Sequence, residues 1–116
     1  MKIKQIYMVK FSYRGKNGTT DYEFQSSSES YIRLDGEKNH KLRFIGLENT
    51  IYEQLIKEIT ALNIEDWEYE ISVDELSDPS WSILLCGSNN YMFVESNHFN
   101  NDYDRLFKII KKYDLD

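Results

Sequence analysis

The spacing of the apolar residues changes along this chain, and that change restricts the fold more than any other feature. Between residues 6 and 14 apolar and polar residues alternate, which predicts a strand with one buried face. The residues of that face are Tyr7, Val9, Phe11 and Tyr13. A Gly-Lys-Asn-Gly turn at 15–18 leads into a second strand at 19–25, and weaker strands are predicted at 31–34 and 41–45.

After residue 49 the spacing becomes helical. The apolar stripe of this predicted helix contains Ile51, Leu55, Ile59 and Leu62. Thr50 and Glu53 have the spacing of a capping box, which predicts the helix start. Asn63 predicts its end, although the pattern also allows the helix to continue through Trp67.

Alternation returns at 66–74 and predicts a further strand, followed by two strands at 81–86 and 91–95 around a tight turn. A last helix, capped by Asn101 or Asp102, closes the chain. We therefore predict a single α+β domain over residues 1–116, with two helices on an antiparallel sheet of about six or seven strands. The predicted order is four strands, a helix, three strands and a helix.

Composition excludes several classes of protein. Cys86 is the only cysteine, so no internal disulfide or cysteine-cluster metal site can form. The N-terminal residues place charges inside their apolar run, unlike a signal peptide, and no stretch approaches the roughly 20 apolar residues of a membrane span. The sequence predicts a cytoplasmic protein without a membrane partner.

The charge distribution is uneven. Residues 1–57 contain ten Lys or Arg and seven Asp or Glu, whereas residues 58–104 contain eleven carboxylates and no Lys or Arg. Seven of those carboxylates lie in a segment that we call the acidic segment, residues 65–78: Glu65, Asp66, Glu68, Glu70, Asp74, Glu75 and Asp78. One interpretation is a solvated face that maintains solubility. The other is a surface for a basic partner protein, while direct nucleic-acid binding is disfavoured because it depends on Lys and Arg.

Few residues suggest chemistry. Trp81, His98 and Phe99 are close enough in the predicted order to line a small-ligand pocket, although core packing is the simpler role for the tryptophan. Cys86 and His98 could in principle form a thiolate pair, but nothing in their spacing specifies it. The segment after Asp66 begins like a calcium loop but lacks the required glycine and final glutamate. We predict no catalytic residue, metal or cofactor.

Three segments resemble a family of short, uncharacterised bacterial domains from low-GC Gram-positive organisms. They read Leu-Asn-Ile-Glu-Asp-Trp at 62–67, Asp-Pro-Ser-Trp-Ser-Ile at 78–83 and Ser-Asn-His-Phe at 96–99. The resemblance implies an α+β fold and carries no activity. In size and acidity alone, the chain is also similar to toxin-immunity proteins and to phage-encoded inhibitors of bacterial defence nucleases.

Three hypotheses follow. The first is a non-enzymatic inhibitor or immunity-type protein, including phage anti-defence proteins such as anti-CRISPRs, whose acidic segment binds a basic protein such as a nuclease. The second is a small-ligand-binding domain or minor enzyme with a pocket near Trp81 and His98. The third is a structural subunit that associates with itself through an exposed strand edge. The sequence does not specify the oligomeric state.

Overall fold

The computed structural model describes residues 5–67 and 79–115 of the 116-residue chain. In chain order, the described elements are β1 (Met8–Gly15), β2 (Gly18–Ser27), β3 (Tyr31–Glu37), β4 (His40–Glu48), α1 (Asn49–Thr60), β5 (Ser80–Cys86), β6 (Tyr91–Ser96) and α2 (Asn101–Tyr113). The predicted α+β class, both helices and the strand number are confirmed. The order differs slightly in the second half: Asp66 ends a short 3₁₀ helix, Ile64–Asp66, and residues 68–74 of the expected strand lie outside the described residues.

The six described strands form one sheet in the order β3-β4-β2-β1-β5-β6. Four neighbouring pairs are antiparallel, but β2 and β4 are parallel, so the sheet is mixed where alternation predicted an antiparallel one. The reason is the placement of the β3–β4 hairpin, which puts β4 next to β2 and leaves β3 outside it. β3 is therefore an edge strand.

Both helices cover the same face of the sheet, and the core lies between them and the strands. The buried side chains of that face, together with those of the helices and of the adjoining loops, are Ile6, Val9, Phe11, Tyr22, Phe24, Ile45, Leu47, Tyr52, Leu55, Ile59, Ile64, Trp81, Ile83, Leu85, Leu106, Ile110 and Tyr113. The Phe11 ring contacts the α2 rings of Tyr103 and Phe107, at centroid distances of 6.3 and 6.0 Å. Within the described residues no helix lies on the opposite sheet face, which we call the open face.

The helix ends differ from their predicted positions. α1 begins at Asn49, and its N-cap residue, Glu48, makes no side-chain cap, so the predicted Thr50 capping box is wrong. α2 is capped by Asn100, whose Oδ1 accepts the backbone N–H groups of Asp102 and Tyr103. The cap therefore precedes both predicted positions, because an asparagine outside the helix reaches the amides of the first turn.

α1 stops before Trp67. Asn63 has a φ of 54°, in the left-handed region, and this residue separates α1 from the 3₁₀ helix that follows. The alternative of a helix continuing through Trp67 is therefore excluded. Among the described residues neither helix has the length and apolar content to cross a membrane.

Candidate functional site

The acidic segment is described only at its beginning. Asp66 is the last residue of the 3₁₀ helix and is exposed, and the backbone of Glu65 belongs to the same helix. The five remaining predicted partner-binding residues lie outside the described residues: Glu68, Glu70, Asp74, Glu75 and Asp78. The structure describes the residues that hold the two ends of this segment, Trp67 and Ser80, and we call this pair the frame.

Both ends of that frame are fixed at one corner of the sheet. The Trp67 indole donates from Nε1 to the carbonyl oxygen of Leu62 at 3.1 Å, and its ring packs edge-on against the Trp81 ring with centroids 6.4 Å apart. On the other side, Ser80 is buried and begins β5, paired with Arg14 of β1. The chain thus enters and leaves the segment 68–78 beside the same buried tryptophan.

Some carboxylates of the base-free stretch 58–104 are neutralised by α2. Glu58 accepts hydrogen bonds from the Tyr113 hydroxyl and, at 2.9 Å, from the Lys112 ammonium. These two donors hold the pKa of Glu58 below its ordinary value. Asp102 pairs with Arg105 at 2.5 Å, one helical turn away.

Two other carboxylates of the same stretch are not covered in this way. Asp66 is exposed and Glu95 lies half-buried on the open face of β6, and neither forms an ion pair with a described residue. The anionic character of the stretch is therefore reduced along α2 and retained at the start of the acidic segment.

The structure brings the predicted ligand-binding residues together, but as packing. Trp81 is only 1% exposed, and its Nε1 donates to the His98 carbonyl oxygen at 2.8 Å. The Phe99 ring packs against Tyr103 with centroids 4.7 Å apart, and against Tyr13 at 6.1 Å. Core packing of Trp81 is confirmed, and a ligand could reach only the exposed His98 and Phe99 side chains.

The remaining candidate chemistry is not assembled. Cys86 ends β5, whereas His98 adjoins Trp81 near the start of that strand, so about five strand residues, or roughly 16 Å, separate them. This distance removes the thiolate pair. Within the described residues, no group of three or more His, Cys, Asp or Glu side chains is placed to hold a metal ion.

A cationic cleft, which sequence reasoning missed, lies between the β1–β2 and β3–β4 turns. Its volume is about 290 Å³, and the basic side chains that line it are those of Lys16, Lys38 and Lys41. The two turns are joined by a 2.9 Å hydrogen bond from the Thr19 N–H to the Asn39 carbonyl. None of the described lining residues carries a carboxylate, so the cleft has positive potential in a chain of net charge −6.

Gly18 permits this close approach of the two turns. Its φ is +133°, and a Cβ there would lie 2.2 Å from the Asn39 carbonyl oxygen. The lysine-containing turns are visible in the sequence, but their contact depends on the parallel pairing of β2 with β4. Alternation does not reveal that pairing.

A polar cluster on the open face was also missed. Asp21 is 7% exposed. Its Oδ2 forms a hydrogen bond with His40 Nε2 at 2.8 Å and lies 3.9 Å from the Lys10 ammonium. The three residues come from three adjacent strands, β4, β2 and β1. Because a buried carboxylate needs partners, this cluster stabilises the middle of the open face.

Comparison with known proteins gives no family for this chain: no family model matches it, and neither a curated protein nor a solved structure matches it. The functional conclusion depends on the chain's own residues.

Proposed function

We propose that the protein is a non-enzymatic binding protein of the inhibitor or immunity type, and that its acidic segment binds a basic protein partner in the cytoplasm. The observation that carries this proposal is the composition of residues 58–104, with eleven carboxylates and no Lys or Arg. Seven of these carboxylates fall within the fourteen residues of the acidic segment. A nuclease or another nucleic-acid-binding protein is the fitting partner, because its surface is built to receive a row of negative charges.

The frame supports this proposal. Trp67 packs against Trp81, and Ser80 begins β5 next to it, so the two ends of the segment are held at one corner of the packed core. Fixing the ends lowers the conformational entropy lost on binding. Asp66, the second residue of the segment, is exposed and has no ion-pair partner among the described residues, so its charge is available to a cationic partner.

Salt dependence tests the proposal directly. Affinity of the purified chain for a panel of purified basic nucleases would be measured by titration calorimetry at low and at high salt, together with nuclease activity. We expect binding that weakens strongly as salt rises and that reduces nuclease activity. Absence of binding to every member, or binding that is insensitive to salt, would contradict it.

A second candidate function has a specific observation in its favour. The cationic cleft has the lysines and amide side chains that recognise phosphate or carboxylate groups, so a small-anion-binding domain is the alternative. In this second candidate the ligand would bind between the two turns rather than near Trp81.

Titration with pyrophosphate, followed by amide NMR shifts, distinguishes this candidate. Shifts confined to residues 15–19 and 38–41, lost in Lys16→Gln/Lys38→Gln and retained in the matched pair Lys57→Gln/Lys108→Gln, would favour it. Shifts spread evenly over surface lysines would reject it.

A further inference from the structure

The edge strand β3 is the most exposed element of the sheet. All seven of its residues are exposed, including Tyr31, Ile32 and Leu34, and the Leu34 side chain retains 64% of its surface. At the other edge of the described sheet, β6 has three partly buried residues and buries a fourth, Ser96. An exposed edge strand with apolar side chains is a template for pairing with another strand, so β3 is a candidate surface for strand pairing.

The backbone of β3 is ready to pair. Glu37 and His40 flank a two-residue turn and therefore form the first hydrogen-bonded pair of the β3–β4 ladder. In an antiparallel ladder such pairs alternate with residues whose N–H and C=O groups point away. Counting back along β3, Leu34 and Ile32 direct these groups to the edge, where no described strand lies.

The charges of β3 are complementary to those of a second β3. Arg33 and Asp35 flank Leu34 on the open face of the sheet. If two β3 strands lie antiparallel about a two-fold axis at Leu34, each Arg33 stands opposite Asp35 of the second copy. An axis at Arg33 would place the two arginines opposite each other. An axis at Asp35 would pair Arg33 with Glu37 but place the two aspartates directly opposite at its centre, so of these three axes only the one at Leu34 has no like-charge pair.

We propose that β3 pairs with β3 of a second copy of this chain, antiparallel and centred on Leu34, so that the two sheets become one continuous sheet. The two Leu34 residues exchange backbone hydrogen bonds, and Ile32 stands opposite Gly36 of the second copy. Because the interface is isologous, each copy covers the edge of the other and the pairing closes at a dimer.

Arg33 and Asp35 each make a contact within one copy. The Arg33 guanidinium lies over the Phe44 ring, 4.1 Å from its centroid, which holds it on the open face. In one copy Asp35 Oδ1 accepts the Gly36 N–H at 2.7 Å. In the dimer that N–H donates instead to the Ile32 carbonyl oxygen of the second copy, so the Asp35 carboxylate is released to receive Arg33. The proposal is independent of the acidic segment.

Sedimentation of the full chain over a range of concentrations, with charge variants, tests this dimer. The unmodified chain should form a dimer as concentration rises. Arg33→Asp and Asp35→Arg each place like charges opposite each other and should weaken the dimer about tenfold or more. An equimolar mixture of the two variants restores both ion pairs, so it should form a heterodimer at concentrations where each variant alone is mainly monomeric.

A backbone variant provides a second test. Leu34→Pro removes an N–H that β4 does not use, so an edge strand tolerates it, yet it removes the central hydrogen bonds of the dimer. Circular dichroism should stay unchanged while the dimer is lost. A chain that is monomeric at every concentration would overturn the proposal. So would a dimer that Arg33→Asp and Leu34→Pro leave intact, because that dimer would use another surface.

Discussion

Leu85 and Leu34 occupy strands with the same alternating pattern, yet their surroundings are opposite. Leu85 lies in β5, an inner strand between β1 and β6, and has no exposed surface, whereas Leu34 lies in the edge strand β3 and keeps 64% of its surface exposed. Both point to the face that carries the helices. Alternation thus determines which way a side chain points, but the neighbouring strands and helices determine whether it is buried.

The largest expected effect is on stability, and it tests this comparison of the two leucines. Leu85→Ala should lower the free energy of unfolding by about 2–5 kcal/mol, because it leaves a cavity in the core. Leu34→Ala should change it by no more than about 0.5 kcal/mol, since the side chain is mostly in solvent. Urea unfolding of the two variants measures both values at a protein concentration that keeps the chain monomeric. Similar losses for the two leucines would show that the assigned burial is wrong.

The helix starts offer a second, smaller contrast. Asn100→Ala removes the side-chain acceptor for two amides of α2 and should cost about 1 kcal/mol. Thr50→Ala should cost only a few tenths of a kcal/mol, because α1 has no side-chain cap. Thermal unfolding of the two alanine variants would check this. A larger loss at Thr50 than at Asn100 would restore the capping box that the sequence suggests.

The pH dependence of stability concerns the contact between α1 and α2. The Tyr113 and Lys112 donors lower the pKa of Glu58, so its contribution is complete above its ordinary pKa and is lost as pH falls through the lowered value. Burial, followed by the hydrogen bond to Glu58, raises the pKa of Tyr113 to about 12. The tyrosine contribution is therefore complete below pH 10 and is lost as pH rises toward about 12.

Glu58→Gln checks that assignment. Unfolding free energy measured from neutral to acidic pH should fall less steeply in this variant than in the unmodified chain. Glu53→Gln, at an exposed position on the same helix, is the matched control and should leave the slope unchanged. An unchanged slope for Glu58→Gln would mean that Glu58 gains nothing from its partners on α2.

Much of the fold was predictable because local physics determines it. The alternation of Val9, Phe11 and Tyr13 and the helical stripe beginning at Ile51 each identified an element, and together they predicted the α+β class. Tyr7, predicted on the same buried face, instead precedes β1 and is 62% exposed. The parallel pairing of β2 with β4 was not predictable, since it depends on which strand of a hairpin lies inside the sheet. The cap at Asn100 was missed because several polar residues there have similar capping preferences.

The functional features show the same difference: a contiguous feature could be predicted from the sequence, whereas one that joins distant residues could not. The acidic segment is contiguous, so residue counts reveal it directly. By contrast, the cationic cleft joins two turns more than twenty residues apart, and the Asp21 cluster joins three strands. Such sites can be recognised only when the strand order is known. The register of β3 with β4 likewise shows which backbone groups of Leu34 face outward.

Charge reversal within the acidic segment tests the central claim most directly. Glu68→Lys/Glu70→Lys would be compared with Glu29→Lys/Glu53→Lys, a control that alters the net charge equally at exposed positions outside the segment. For a basic nuclease that binds the unmodified chain, we predict an affinity at least about tenfold lower for the first pair and nearly unchanged for the second. Equal losses for the two pairs, or no loss for either, would contradict a binding surface in residues 65–78.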